Sequence, residues 1–243
     1  MILNIYKPTN ITSYDCIRII KKIKKDNIPW LKNVISSNIF TKKIGHAGTL
    51  DPFAEGVLVI CTDTDTKKII EIQSQPKEYL ATIKFGFTSS TYDPEGDIVE
   101  VKNYQPLPTK QQIAKIISEN FIGEISQMPP IFSAKKINGQ RAYQLARNNK
   151  TVKLSPKKVI ISEIEIIKYK YPNLQLKITC GSGTYIRSIA HDLGQILKTG
   201  GYCTNLIRTR VGEWEQKNSH HLPSDPINSL RHLKSRQTQI SNF

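Results

Sequence analysis

The sequence predicts an α+β fold in which a mixed, mainly antiparallel sheet is flanked by helices and loops. Three observations point there. Strand-period and helix-period segments alternate without the regular βαβ spacing of a doubly wound sheet. Apolar content of 38% is enough for a core, yet no apolar run approaches the ~20 residues of a spanning helix. No internal repeat is visible, and 243 residues suffice for one large domain or two small ones.

In chain order, residues 2–6 alternate apolar and polar before Lys7-Pro8, which reads as a short strand ending at a turn. Thr12-Ser13-Tyr14-Asp15 then precedes the apolar-periodic Ile17–Ile23, a helix-start signal. Residues 45–58 pack three glycines, a histidine, an aspartate and a proline ahead of the buried-strand run Val57–Cys61. Thr62-Asp63-Thr64-Asp65 lacks the glycine and terminal glutamate of a calcium loop. It reads as a turn capping a helix over residues 66–74. Residues 77–86 alternate at strand period, 93–97 form a turn, and 108–121 fit a helix. Residues 127–150 mix proline, glycine and basic side chains as an ordered excursion. Strands follow over 158–168 and 174–180, a helix over 185–198, and a strand over 203–211. From residue 213 the periodicity weakens, which predicts a loosely packed tail.

Charge narrows the function classes. Lys and Arg total 35 against 20 Asp and Glu, giving +15 and a pI near 9.6. Such a balance favours polyanionic partners, because phosphate contacts release counterions, although lysines also serve solubility. The four cysteines are scattered without a Cys-x-x-Cys pair, so a zinc ribbon is not indicated and free thiols in a reducing cytosol are the simplest account. His220-His221 read as surface residues. The N-terminus shows no secretory or transit pattern, and cytoplasmic residence is the expectation.

The loop at residues 45–58 carries the sharpest signal. A bare Gly-x-x-Gly-x-x-Asp-Pro is more often an ordinary turn with a capping aspartate. The full string Gly45-His46-Ala47-Gly48-Thr49-Leu50-Asp51-Pro52-Phe53-Ala54-Glu55-Gly56-Val57-Leu58, however, closely resembles the signature of the bacterial tRNA pseudouridine-55 synthases, the TruB family. Three further blocks match in order: Lys7-Pro8 with Thr12-Ser13, Gln127 through Tyr143, and Gly183-Thr184-Tyr185-Ile186-Arg187. The resemblance implies a pseudouridine synthase fold over residues 1–212 and isomerisation of uridine 55 in the tRNA T arm. That reaction breaks a glycosidic bond, turns the base and rejoins it through carbon 5. It is redox-neutral, so no cofactor and no metal are expected.

The resemblance also assigns roles. Asp51 is the implied nucleophile on a flipped-out uridine. Arg187 is the implied cation that keeps Asp51 ionised, which suits a guanidinium because it stays charged and can bond a carboxylate twice. Tyr79 is implied to stack on the uracil and help move the C5 proton. His46 is implied to contact RNA beside the flipped base, and Leu206 to line the uracil pocket. Lys135, Lys136 and Arg141 are implied phosphate contacts in an RNA-closing segment over 124–152. Without the motifs, Arg187 reads as a solvated arginine, Tyr79 as a half-buried strand tyrosine, His46 as structural and the basic segment as a generic loop. Asp93 and Gly96 resemble the Thr-x-x-Asp-x-x-Gly region after the active-site strand, with Ser90 where the family often has aspartate.

Residues 25–40 stand out as an insertion relative to the family. The short polar tail at 213–243 implies that the accessory RNA-binding domain is truncated or absent. The partner implied is the tRNA T stem-loop, with no membrane, no obligatory protein partner and a monomeric enzyme. Two alternatives stay open: a guide-RNA-dependent pseudouridine synthase, and an RNA-folding or RNA-binding protein whose catalysis is secondary.

Overall fold

The computed structural model describes residues 1–25, 43–102, 106–131, 136–137, 140–141 and 154–222. The insertion beyond residue 25 and Lys135 lie outside the described residues. The chain begins with β1 (Ile2–Lys7), α1 (Ser13–Lys25), β2 (Ile44–His46), β3 (Glu55–Thr62), a 3-10 turn (Asp63–Lys68) and α2 (Ile69–Ser74). There follow β4 (Lys77–Phe85), β5 (Phe87–Ser89), β6 (Ile98–Glu100), α3 (Lys110–Asn120) and β7 (Gly123–Gln127). Next come β8 (Lys136–Ile137), β9 (Gln140–Arg141), β10 (Lys157–Lys170), β11 (Asn173–Cys180) and α4 (Ile186–Ile196). The described chain closes with β12 (Gly201–Val211), β13 (Trp214–Glu215), a 3-10 turn (Gln216–Asn218) and β14 (His220–His221). This is the expected α+β class. Among the pairings whose register is described, only β1–β14 is parallel.

Two compact units divide the chain: Met1–Ser74 with Thr209–Phe243, and Gln75–Arg208. In the first unit the strand order is β14-β1-β3, with β2 also on β3. The unbroken apolar run of β3 has a direct cause, since both its faces are covered. Leu58 and Ile60 pack with Leu3, Ile5, Cys16, Ile17, Ile19 and Ile20 of β1 and α1. Val57, Val59 and Cys61 pack on the other side with Ala47, Ile72 and Val211. Full burial of each such aliphatic side chain stabilises by about 1.5–3 kcal/mol. The turn before α1 closes as a capping box, since Thr12 Oγ1 accepts from Asp15 N at 3.0 Å and Thr12 N donates to Asp15 Oδ2 at 3.0 Å.

The segment after 212 departs from expectation through residue 222. β14 runs parallel to β1 with Ile5 opposite His220. The His221 ring stacks on Tyr6 at 4.5 Å, and Leu222 is buried in the α1–β3 core. Strands of two residues are too short to show a period, so sequence patterning passed over them. His220 and His221 remain exposed, as read.

In the second unit the order is β12-β4-β11-β10-β7, with β12 belonging to it up to Arg208. β4 alternates strictly, placing Lys77, Tyr79, Ala81, Ile83 and Phe85 on its buried face. β11 pairs antiparallel with β4, setting Ile178 opposite Tyr79 and Cys180 opposite Lys77. Helix α3 starts at a capping box in which Thr109 Oγ1 accepts from Gln112 N and Gln112 Oε1 accepts from Thr109 N. Helix α4 packs against β4 and carries the buried face Ile186, Arg187, Ile189, Ala190 and Leu193.

Candidate functional site

The first unit presents the Asp51 loop. β2 and β3 form its stem, with His46 opposite Ile60, and Ala47 N donates to Val59 O at 2.8 Å. Gly48 (φ 109°) and Gly56 (φ 110°) adopt positive φ at either end, where a side chain would be strained. Two residues from the N-terminal segment pin the backbone between them. Ser13 Oγ donates to Leu50 O at 2.9 Å and accepts from Leu50 N at 2.8 Å. The fully buried Lys7 ammonium donates to Pro8 O at 2.8 Å, Pro52 O at 3.3 Å and Ala54 O at 2.6 Å. A buried cation is tolerated where each of its three donors meets an acceptor. Asn10 N also donates to Pro52 O, and Ala54 N to Asp51 O. Asp51 thus sits half-buried on a loop held on both sides of it.

Sequence reasoning registered Lys7 and Ser13 only as parts of a matching block. What they do is fix Leu50, Pro52 and Ala54, and so the backbone that carries Asp51.

The second unit holds Tyr79, Arg187 and Leu206, all buried. The loop over residues 89–97 and helix α4 meet at Arg187. Its Nη1 donates to Thr91 O at 3.0 Å and to Asp93 Oδ2 at 2.8 Å. Asp93 is 1% exposed and Arg187 3%. The other oxygen of Asp93, Oδ1, accepts from Thr91 Oγ1 at 2.5 Å and Glu95 N at 2.9 Å. Ser89 Oγ donates to Asp93 O at 2.5 Å. Asp93 is therefore more than a turn residue. The sequence reading placed it in a turn and did not foresee it as a buried carboxylate partner of Arg187. Its only signal was the resemblance to the family's Thr-x-x-Asp-x-x-Gly region.

The start of α4 is fixed from β7. Gln127 Oε1 accepts from Tyr185 N at 2.8 Å while its Nε2 donates to Tyr185 O at 3.0 Å. Ser188 Oγ donates to Met128 O at 2.8 Å. The block beginning at Gln127 thus locks the helix end that carries Arg187, a duty not read from sequence. On β4, burial and the neighbouring Arg208 push the Lys77 ammonium down to about 8. Arg208 is 1% exposed and, like Leu206, points to the buried side of β12. Lys77 Nζ donates to Gln75 O at 2.6 Å. Two buried cations thus share the part of the sheet that holds Tyr79 and Leu206.

Of the remaining sequence-expected residues, Lys136 and Arg141 are backbone partners in register in the β8–β9 pair. His46 lies half-buried on β2. The structure sets Asp51 and His46 in the first unit and Tyr79, Arg187 and Leu206 in the second. Among the described residues no helix is long and apolar enough to cross a membrane.

Comparison with known proteins points to one family. Residues 37–186 match the family model described as TruB family pseudouridylate synthase, N-terminal domain. A tRNA pseudouridine synthase B of Bacteroides fragilis is 46% identical over 171 residues, covering 70% of this chain and 72% of that protein. The Clostridium tetani protein of the same name is 40% identical over 221 residues, covering 91% and 71%. The one from Parabacteroides distasonis is 39% identical over 217 residues, covering 87% and 86%. Among solved structures, a chain of a Cbf5-Nop10-Gar1 complex is similar with a TM-score of 0.65 and 25% identity. That match covers 91% of this chain and 52% of the other, so this chain spans about half the length of that structural neighbour.

Proposed function

The chain belongs to the TruB family of pseudouridylate synthases, and we propose that it isomerises uridine 55 to pseudouridine in the T arm of tRNA. Relatives named tRNA pseudouridine synthase B, at 39–46% identity over most of the chain, support a tRNA-modifying isomerase. The observation that carries the chemistry is the pinned loop of Asp51. Lys7 and Ser13 fix the backbone around a half-buried carboxylate, which is how a nucleophile is held before its substrate arrives.

In this reading Asp51 attacks the flipped-out uridine and the glycosidic bond breaks. The uracil turns, C5 bonds the sugar carbon, Asp51 is released as the carboxylate, and the proton lost from C5 is balanced by one taken up at N1, so substrate and product are isomers. Tyr79, on the buried face of β4, stacks on the base, and its hydroxyl serves the C5 proton. Leu206 supplies the apolar wall. Arg187 supplies the cation that favours the ionised form of a carboxylate nucleophile. Its guanidinium has five donors, and Asp93 orients it through one nitrogen. His46, Lys135, Lys136 and Arg141 serve the RNA backbone. The enzyme acts in the cytoplasm as a monomer on the T stem-loop, with no guide RNA and no obligatory protein partner. The catalytic region is residues 1–212. The RNA-closing segment spans 124–152.

The test is pseudouridine mapping on an unmodified tRNA transcript incubated with purified protein alone. Conversion of the T-loop uridine, abolished by Asp51→Asn with RNA binding retained, is the expected result. Binding without conversion by the unaltered protein overturns the proposal in favour of a guide- or partner-dependent enzyme.

A further inference from the structure

One contact beside Arg187 has no part in the reading above. Tyr92, between the two residues that bond Arg187, holds φ at 65°, the left-handed region that a bulky side chain rarely occupies. Its ring lies flat on the imidazole of His191, centroids 3.9 Å apart and planes 12° from parallel. His191 follows Arg187 by four residues on α4, so the two side chains rise from one helix face. The loop therefore grips that face at two successive levels: Asp93 on Arg187, and Tyr92 on His191. A third tie comes from β12, where Cys203 N donates to Tyr92 O at 3.0 Å.

Both members of the stack are held at a cost. His191 Nδ1 is buried without a hydrogen-bond partner among the described residues, and Tyr92 pays for an unfavourable backbone conformation. Local costs of this kind persist where the surroundings over-determine a geometry that function needs. Removing the ring would let residue 92 relax to negative φ. That would turn the peptide on one side and the Asp93 side chain on the other away from Arg187, because Thr91 O and Asp93 Oδ2 are both aimed by this backbone.

We propose that Tyr92 is a positioning residue for Arg187: stacked on His191, it holds residues 91–93 in the conformation that delivers Thr91 O and Asp93 Oδ2 to the guanidinium. The inference rests on the proposed role of Arg187 in isomerisation and adds a device that orients it.

The test compares the unaltered protein with Tyr92→Phe, Tyr92→Leu, Tyr92→Gly and His191→Ala, in single-turnover conversion of tRNA and in nitrogen-15 NMR of the arginine side chains. The Arg187 signal is assigned from Arg187→Lys. Tyr92→Phe keeps the ring and should convert tRNA at close to the normal rate. Tyr92→Leu and His191→Ala should slow the chemical step by about tenfold to a hundredfold, the scale of a small misplacement, with tRNA affinity and melting cooperativity retained. Tyr92→Gly separates the two ingredients, since glycine accepts the positive φ but has no ring; it should be as slow as Tyr92→Leu. The slowly exchanging guanidinium signal of Arg187 should persist in Tyr92→Phe and broaden in the other three. Full activity and an unchanged signal in Tyr92→Leu overturn the inference, and so does a loss of rate matched by loss of folded protein. A Tyr92→Gly protein as fast as the unaltered one shows that backbone conformation alone matters and also overturns it. An unaltered protein that converts no tRNA strikes the proposed function instead, and the Arg187 signal still decides the positioning.

Discussion

Replacing Asp93 offers the most quantitative check on the Arg187 centre. The carboxylate and guanidinium are 1% and 3% exposed and meet at 2.8 Å. Two unit charges about 4 Å apart in an effective dielectric near 20 interact by about 4 kcal/mol. Stripping one partner from a buried pair costs about 3–5 kcal/mol, because the other charge stays desolvated. Asp93→Ala should therefore lose about that much of a total stability of about 5–15 kcal/mol. It also releases Thr91 Oγ1 and Glu95 N from their shared acceptor. Asp93→Asn keeps an oxygen for those two donors but sets an amide against Nη1, so it should lose about 2–3 kcal/mol. The assay is urea unfolding of Asp93→Asn, Arg187→Gln and the double variant. Residues in direct contact couple by about 0.5–3 kcal/mol, and a buried charged pair belongs in the upper half of that range. Coupling below about 0.5 kcal/mol would refute a cooperative Asp93–Arg187 unit.

Other consequences are as direct. Ser13→Ala leaves both backbone groups of Leu50 without their partner; a stability loss of about 1–3 kcal/mol and slower conversion at unchanged RNA affinity are expected, and unaltered turnover would remove Ser13 from the Asp51 loop argument. Arg187→Lys should cut turnover sharply, because an ammonium cannot reproduce the planar fork, and near-normal rates would count against the role given to Arg187. Burial raises Asp192 to about 6 in the folded protein. Its stabilising contribution is then complete below the ordinary carboxylate value and fades as pH rises through about 6; Asp192→Asn should abolish that slope in unfolding measurements between pH 4 and 7, and an identical slope in the variant would contradict it. RNA affinity should fall steeply with salt, with a logarithmic slope of about −0.7 to −0.9 per phosphate contact; a flat response would sink the electrostatic argument from the +15 charge.

Much of the architecture was legible from local pattern. The alternation read over residues 77–86 became β4, and the helix read over 108–121 became α3, which Thr109 opens as its capping residue. The glycines around Asp51 announced a loop, and two of them do adopt positive φ. The helix expected over 66–74 was read less well. It opens as a 3-10 turn over Asp63–Lys68 and becomes α-helical only at Ile69–Ser74. Closely spaced Asp and Thr side chains favour tight local hydrogen bonds, such as Thr66 Oγ1 to Asp63 O, over helix propagation.

The sequence by itself determined the fold class and the family, and it singled out the candidate residues for the proposed chemistry. Periods of 2 and 3.6, turn chemistry and motif spacing are properties of neighbouring residues and survive without a tertiary structure. Only the folded chain decided which side chain serves which. Lys7 meets Ala54 across 47 positions, Gln127 meets Tyr185 across 58, and Arg187 meets Asp93 across 94. Such partners are chosen by strand order and register, which set distant residues side by side. Once buried there, a charged or polar group must find its complement, because no water remains to satisfy it.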